Sequence, residues 1–318
     1  MKVNVCQLRG EQITATIESM SDPRIPDSPL LDIHFLLEES QPRARGTWFW
    51  YAVGFFFLVV FMSAYAQRQL PNGGQIVQMF SSLMMFALMI AMGFITWRAA
   101  RSVQGEHGQL EAIEELIQLR RWEEAALLVQ SLLSRPTRTP QARTQALVYL
   151  AAILARYHRF ADAVTVYEYL LENKLVEGDA AYGIKLARAM SLLREDALVD
   201  ADRAIGELRR LDRADDSAGL ALLEIYRDVK TGHAREAIDE FEKKQMPLRR
   251  QLGHRAADAY VLAAKAFDTA GETEKAKEVF EKATLLSPII ELQRRYPEIS
   301  GIEQKYHGAP APAEVRPS

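Results

Sequence analysis

Five alanines recur along the chain, Ala125, Ala163, Ala201, Ala237 and Ala276, at separations of 38, 38, 36 and 39 residues. A period of this length argues against a single centralised core, such as that of an unrelated helical bundle, the alternative all-helical reading. Each period must instead be a small supersecondary unit that buries its apolar side only by stacking on the next one. Apolar residues recur at helical spacing on both sides of a short turn before each alanine. Small residues suit the points where two helices cross closely, and bulky side chains fill the space beside them: Trp122 stands before Ala125, Phe160 before Ala163, Phe241 after Ala237 and Phe280 after Ala276. Turns this frequent break the unbroken 3.5-residue seam that a coiled coil needs.

The most regular copy is AYVLAAKAFDTAGETEKAKEVFEKATLLSP, with Tyr260, Ala263, Ala264, Phe267, Gly271, Ala276, Phe280, Ala283 and Pro288. A second, ALVYLAAILARYHRFADAVTVYEYLLE, places Leu150, Ala151, Phe160, Ala163 and Tyr167 in the same order, and a third lies in RRWEEAALLVQSLLSRP. These spacings resemble the tetratricopeptide repeat (TPR) superfamily over about residues 108–290, with a period slightly longer than the roughly 34 residues of the standard repeat. The resemblance implies an all-α, TPR-like helical solenoid of about five helix pairs, whose first helices line a concave face. The fourth copy departs from the pattern: Glu224 and Ile225 stand where a Leu-Gly pair is usual, which predicts a shifted register for its first helix.

Two stretches carry no charge at all. Residues 47–66, TWFWYAVGFFFLVVFMSAYA, and 77–97, VQMFSSLMMFALMIAMGFITW, are each long enough as helices to cross a hydrocarbon core of about 30 Å. Trp48, Trp50, Tyr51, Tyr65 and Trp97 sit where amphipathic rings settle at an interface, and residues 67–76 contain the turn Pro71-Asn72-Gly73-Gly74. The pattern predicts a two-helix transmembrane hairpin joined to the repeats by a linker at 98–107, in an integral, multi-pass protein in contact with the lipid bilayer. Arg43, Arg45, Arg98 and Arg101 outside the hairpin against Arg68 within it point to both termini in the cytoplasm, and to a bacterial plasma membrane. Residues 1–46 form a small N-terminal segment, read as a β-hairpin with strands near 2–8 and 11–18, to be completed by residues 30–38 or by packing on the repeats or on another subunit; Ser28-Pro29 could instead cap a short helix. Residues 291–318 read as a largely disordered tail, because the closing GAPAPAEVRPS is poor in apolar residues.

The 39 basic and 42 acidic side chains give a net charge of -3, without the positive excess that a nucleic-acid partner requires. Cys6 is the single cysteine, which excludes a multi-cysteine metal site, and six scattered histidines lack metal-ligand spacing. No HExxH, GxSxG, GxGxxG or phosphate-loop motif occurs, so no catalytic residue, cofactor or metal is expected. The repeat alignment places Arg156, Arg194 and Lys230 at one position late in successive first helices, with Met190 and Tyr226 one turn earlier. A basic ladder of this kind with apolar neighbours suits a protein or peptide partner bearing carboxylates. The function expected from these features is a membrane-anchored TPR scaffold or adaptor. The competing expectation is a structural subunit of a membrane transport, secretion or envelope-biogenesis complex, with the hairpin making the essential contacts.

Overall fold

The computed structural model describes residues 32–41, 54, 57, 58, 61, 65, 74–211 and 217–306. It divides into two compact parts, residues 1–162 and 163–318. Helix α1 is Ile33–Glu39, α2 Gly74–Gln118, α3 Trp122–Leu133, α4 Pro140–Arg156 and α5 Phe160–Glu172, within which the division falls. The second part continues with α6 Gly178–Arg194, α7 Leu198–Arg209, α8 Ala218–Thr231, α9 Ala234–Leu252, α10 Ala256–Thr269, α11 Thr273–Leu286, α12 Ile289–Arg295 and α13 Ser300–Tyr306.

One turn, used five times, makes the helix pairs. Arg120, His158, Asp196, Gly232 and Gly271 all have positive φ, between 60° and 84°, and each stands five residues before one of the periodic alanines. A left-handed residue here lets two backbone N–H groups fold back onto the end of the preceding helix. The amide after the turn residue donates to the carbonyl five positions back in every copy: Arg121 to Leu116 at 2.8 Å, Arg159 to Leu154 at 3.0 Å, Ala197 to Leu192 at 3.0 Å, His233 to Asp228 at 2.8 Å and Glu272 to Phe267 at 2.9 Å. The second helix then starts at once, with its alanine at the crossing. All five periodic alanines are fully buried. The fourth copy keeps this register, contrary to the shift expected from Glu224-Ile225. Ile225 is buried, and Glu224 instead accepts a hydrogen bond from Arg209 Nε at 2.5 Å.

In the first part, α1 is a helix, not a strand. Asp32 caps it by accepting from the Phe35 amide, and Ile33, Leu36 and Leu37 are buried. Arg143 of α4, itself buried, donates from Nη2 to the Leu37 carbonyl at 2.8 Å and from Nε to Ser40 Oγ at 3.0 Å. Thr137 Oγ1 also donates to the Ser40 carbonyl, at 3.0 Å. These bonds satisfy the C-terminal carbonyls of a helix too short to stand alone.

Several sequence expectations are corrected. Among the described residues no helix is long and apolar enough to cross a membrane, which removes the basis for two transmembrane spans and for a multi-pass plasma-membrane topology. Residues 47–66 fall mostly outside the described residues, as do several side chains of 77–97. The second uncharged stretch is not a separate element: it opens the 45-residue helix α2, which continues without a break through Arg98, Arg101, Glu106, Glu111, Glu114 and Glu115. An uncharged run in sequence does not mark where a helix ends, because backbone hydrogen bonding carries the helix on into polar residues. The described large apolar side chains along its first half, among them Leu83, Met89 and Phe94, are exposed. The β-hairpin of residues 2–18 lies outside the described residues, and no strand occurs among those described.

The end of the repeats differs as well. Residues 289–306 form α12, a 3-10 turn at Pro297–Ile299 and α13, with Leu292, Tyr296, Ile299 and Ile302 fully buried. The low apolar content of the last residues conceals this spacing, which presents one apolar side toward the second part's core. Residues 307–318 lie outside the described set.

Candidate functional site

The first helices of the last three repeats, α6, α8 and α10, pack side by side in the second part. Gly219 in the first turn of α8 permits the approach to α6, since a Cβ there would meet Leu186 Cδ1 at 2.8 Å. Arg194 and Lys230 each stand two residues before a left-handed turn residue, Asp196 and Gly232. The repeat register therefore puts both cations at the same end of neighbouring helices.

These cations meet residues from the end of the chain. The Lys230 side chain is only 8% exposed; its Nζ lies 3.2 Å from Glu298 Oε1 and also pairs with Asp196. Tyr226, buried in the middle of α8, donates its hydroxyl to the same Glu298 oxygen at 3.1 Å. Glu298 Oε2 is buried without a hydrogen-bond partner. The Tyr296 ring stands edge-on to Tyr226, with centroids 5.0 Å apart and an interplanar angle of 87°. Arg194 covers Tyr296 from the α6 side, its guanidinium 5.6 Å from the ring centroid. Edge-on aromatic pairs and a cation over a ring face are both favourable arrangements of the ring quadrupole.

The electrostatics follow from burial. Burial pushes the Tyr226 phenol above its ordinary value, and the Glu298 carboxylate adds to the shift. Burial pushes Tyr296 up to about 12, assisted by the Asp258 carboxylate. Both phenols are therefore neutral at ordinary pH.

Further along, Arg295 Nη1 donates to Asp258 Oδ1 at 2.6 Å and Nη2 to Ser287 Oγ at 3.0 Å, with Asp258 fully buried in α10. Lys305 Nζ pairs with Asp268 Oδ1 at 2.5 Å, and Tyr306 donates to the same oxygen at 2.7 Å. Burial opposes ionisation of Asp268, but the hydrogen bonds from Lys305 and Tyr306 outweigh it and hold the carboxyl below its usual value.

Three of the five expected site residues, Arg194, Tyr226 and Lys230, are thus brought to one place. Met190 is half-buried and packs against the core of the second part. Arg156 belongs to the first part, where its guanidinium lies 5.7 Å from the Trp122 ring centroid. Sequence reasoning missed Tyr296, Glu298 and Asp196. The helical spacing of Leu292, Tyr296, Ile299 and Ile302 was the available signal for an ordered end.

Elsewhere, α2 and α4 border an open cleft of about 250 Å³ lined by Val103, His107, Leu110, Thr139, Gln141, Ala142 and Gln145. Its single titratable side chain offers no acid–base or nucleophilic pair. Among the described residues no group of three His, Cys, Asp or Glu side chains stands ready to hold a metal ion.

The repeat units are TPR-like. No protein-family model matches the chain, and no curated protein matches it. Among solved structures it is similar to YrrB, titled a TPR protein with an unusual peptide-binding site, at 15% identity over 60% of this chain and 90% of that one, with a TM-score of 0.36. A superposition that loose carries no argument by itself. The TPR-like architecture rests here on five equivalent left-handed turns and five buried crossing alanines.

Proposed function

We propose that this chain is a protein-interaction scaffold rather than an enzyme, and that the face formed by Arg194, Tyr226 and Lys230 binds a protein or peptide partner bearing a carboxylate. One observation carries this reading: a buried lysine and a buried tyrosine hydroxyl from one helix converge on a single carboxylate oxygen, Glu298 Oε1. A cation and a neutral donor held in a desolvated position recognise a carboxylate far better than exposed charges do. Catalysis has no comparable support: the fully buried carboxylate Asp258, for example, is paired with Arg295.

The test is quantitative affinity purification with the full chain and with Lys230→Glu and Arg194→Glu variants whose helical circular dichroism matches the parent. Charge reversal is expected to remove the specifically enriched proteins. Retention of the same proteins in the same amounts by both folded variants would refute the assignment of this face.

A further inference from the structure

Resting on that reading, we propose that residues 295–299, Arg-Tyr-Pro-Glu-Ile, are an internal ligand that occupies the binding face in cis. The face accordingly selects partner peptides in which an aromatic residue, a proline and a carboxylate follow in sequence.

A segment that merely closed the end of the repeats would need apolar contacts with the last repeat alone. Leu292 and Ile302 make contacts of that apolar kind, both fully buried in the core of the second part. Tyr296 and Glu298 do something different. They reach past the last repeat to Tyr226 and Lys230 of the fourth and Arg194 of the third. The Glu298 side chain is 26% exposed, and desolvating the rest of a carboxylate is costly unless a cation and a hydrogen-bond donor receive it, so this contact is specific in its chemistry.

Pro297 accounts for the shape of the segment. The residue before a proline is disfavoured in the helical region, and Tyr296 has φ -136° and ψ 82°. Helix α12 stops there, and the chain presents Tyr296 from an extended backbone and Glu298 from the single 3-10 turn that follows it, a conformation open to a short linear peptide. The fit is incomplete: Glu298 Oε2 is buried without a partner, and Lys230 divides its charge between Glu298 and the largely exposed Asp196. A partner peptide that satisfied both carboxylate oxygens would bind better than the internal one. Only Ser287 and Pro288 separate α11 from α12, so the internal segment stays at high effective concentration and a partner must outcompete it.

The probe is a fluorescein-labelled peptide with the sequence of residues 293–301, QRRYPEISG, titrated with the full chain and read by fluorescence anisotropy. The apparent affinity of a self-occupied site is reduced by the fraction of molecules that are open. Weak binding is expected for the parent chain, and binding about tenfold tighter or more for Glu298→Gln and Tyr296→Ala, which loosen the internal segment. Adding Lys230→Gln to Glu298→Gln should return binding to the weak level, and a peptide with glutamine in place of its glutamate should not bind. Glu298→Gln alters charge without altering shape, so it decides the matter if Tyr296→Ala does not fold. If folded Glu298→Gln binds the peptide no more tightly than the parent, the internal-ligand proposal is overturned. Should that happen while Lys230→Glu still abolishes partner capture, the scaffold reading survives with a ligand of different sequence.

Discussion

Replacing Gly271 with alanine should destabilise the last repeat even though there is room for the new methyl group. Gly271 has φ 84°, and a Cβ built there meets nothing within 4 Å, so no steric clash contributes. Two terms remain. The left-handed conformation costs an L-residue about 1–2 kcal/mol, whereas loss of glycine's freedom in the unfolded chain returns about 0.4–1 kcal/mol. The net expectation is a loss of about 0.5–1 kcal/mol. Gly206, in the last turn of α7, is the matched control: its Cβ position is also open, but its backbone is helical. Gly206→Ala should therefore stabilise, by about 0.5–1 kcal/mol. The assay is the urea midpoint of the far-ultraviolet circular dichroism signal. Hydrogen exchange at the Glu272 amide, which bonds to the Phe267 carbonyl across this turn, supplies the local readout. Exchange there should accelerate in Gly271→Ala and stay unchanged in Gly206→Ala. If Gly271→Ala proves as stabilising as Gly206→Ala, the left-handed turn is not what joins the two helices of a repeat.

The same argument predicts that Arg120→Gly, at the equivalent turn of the first repeat, gains up to about 1 kcal/mol, checked by its thermal midpoint. Arg143→Met should cost about 1–3 kcal/mol, because the buried Leu37 carbonyl and Ser40 hydroxyl lose a donor; limited proteolysis should then cut near α1 first. Alkaline titration followed by tyrosinate absorbance should show Tyr226 and Tyr296 silent near pH 10. Their raised values favour the neutral, folded form, so this contribution is complete below pH 10 and is lost as the pH rises toward the Tyr296 value of about 12. For Tyr296 that amounts to about 3 kcal/mol. Ala276→Leu, at a fully buried helix crossing, should cost about 1–3 kcal/mol in chemical denaturation by forcing α11 away from α10.

The parts of this fold that were legible in the amino-acid order are those set by short-range geometry. An alanine five residues after a left-handed turn is a local relation, repeated five times, and repetition reveals it even where the turn residue is Arg120, His158 or Asp196 instead of glycine. The same regularity placed Arg194 and Lys230 at equivalent ends of adjacent helices. The sequence was misleading where a local property was taken for an environment. The uncharged run at 77–97 belongs to a helix that continues for another twenty or so residues, and the polar end of the chain hides four buried apolar side chains. Tertiary structure alone decided what covers the candidate face. Tyr226 and Glu298 are 72 residues apart, and a contact between segments so distant leaves no period in the sequence. It exists because stacking the repeats brings α6, α8 and α10 together, so that Arg194, Tyr226 and Lys230 form a surface that one carboxylate and one tyrosine can fill.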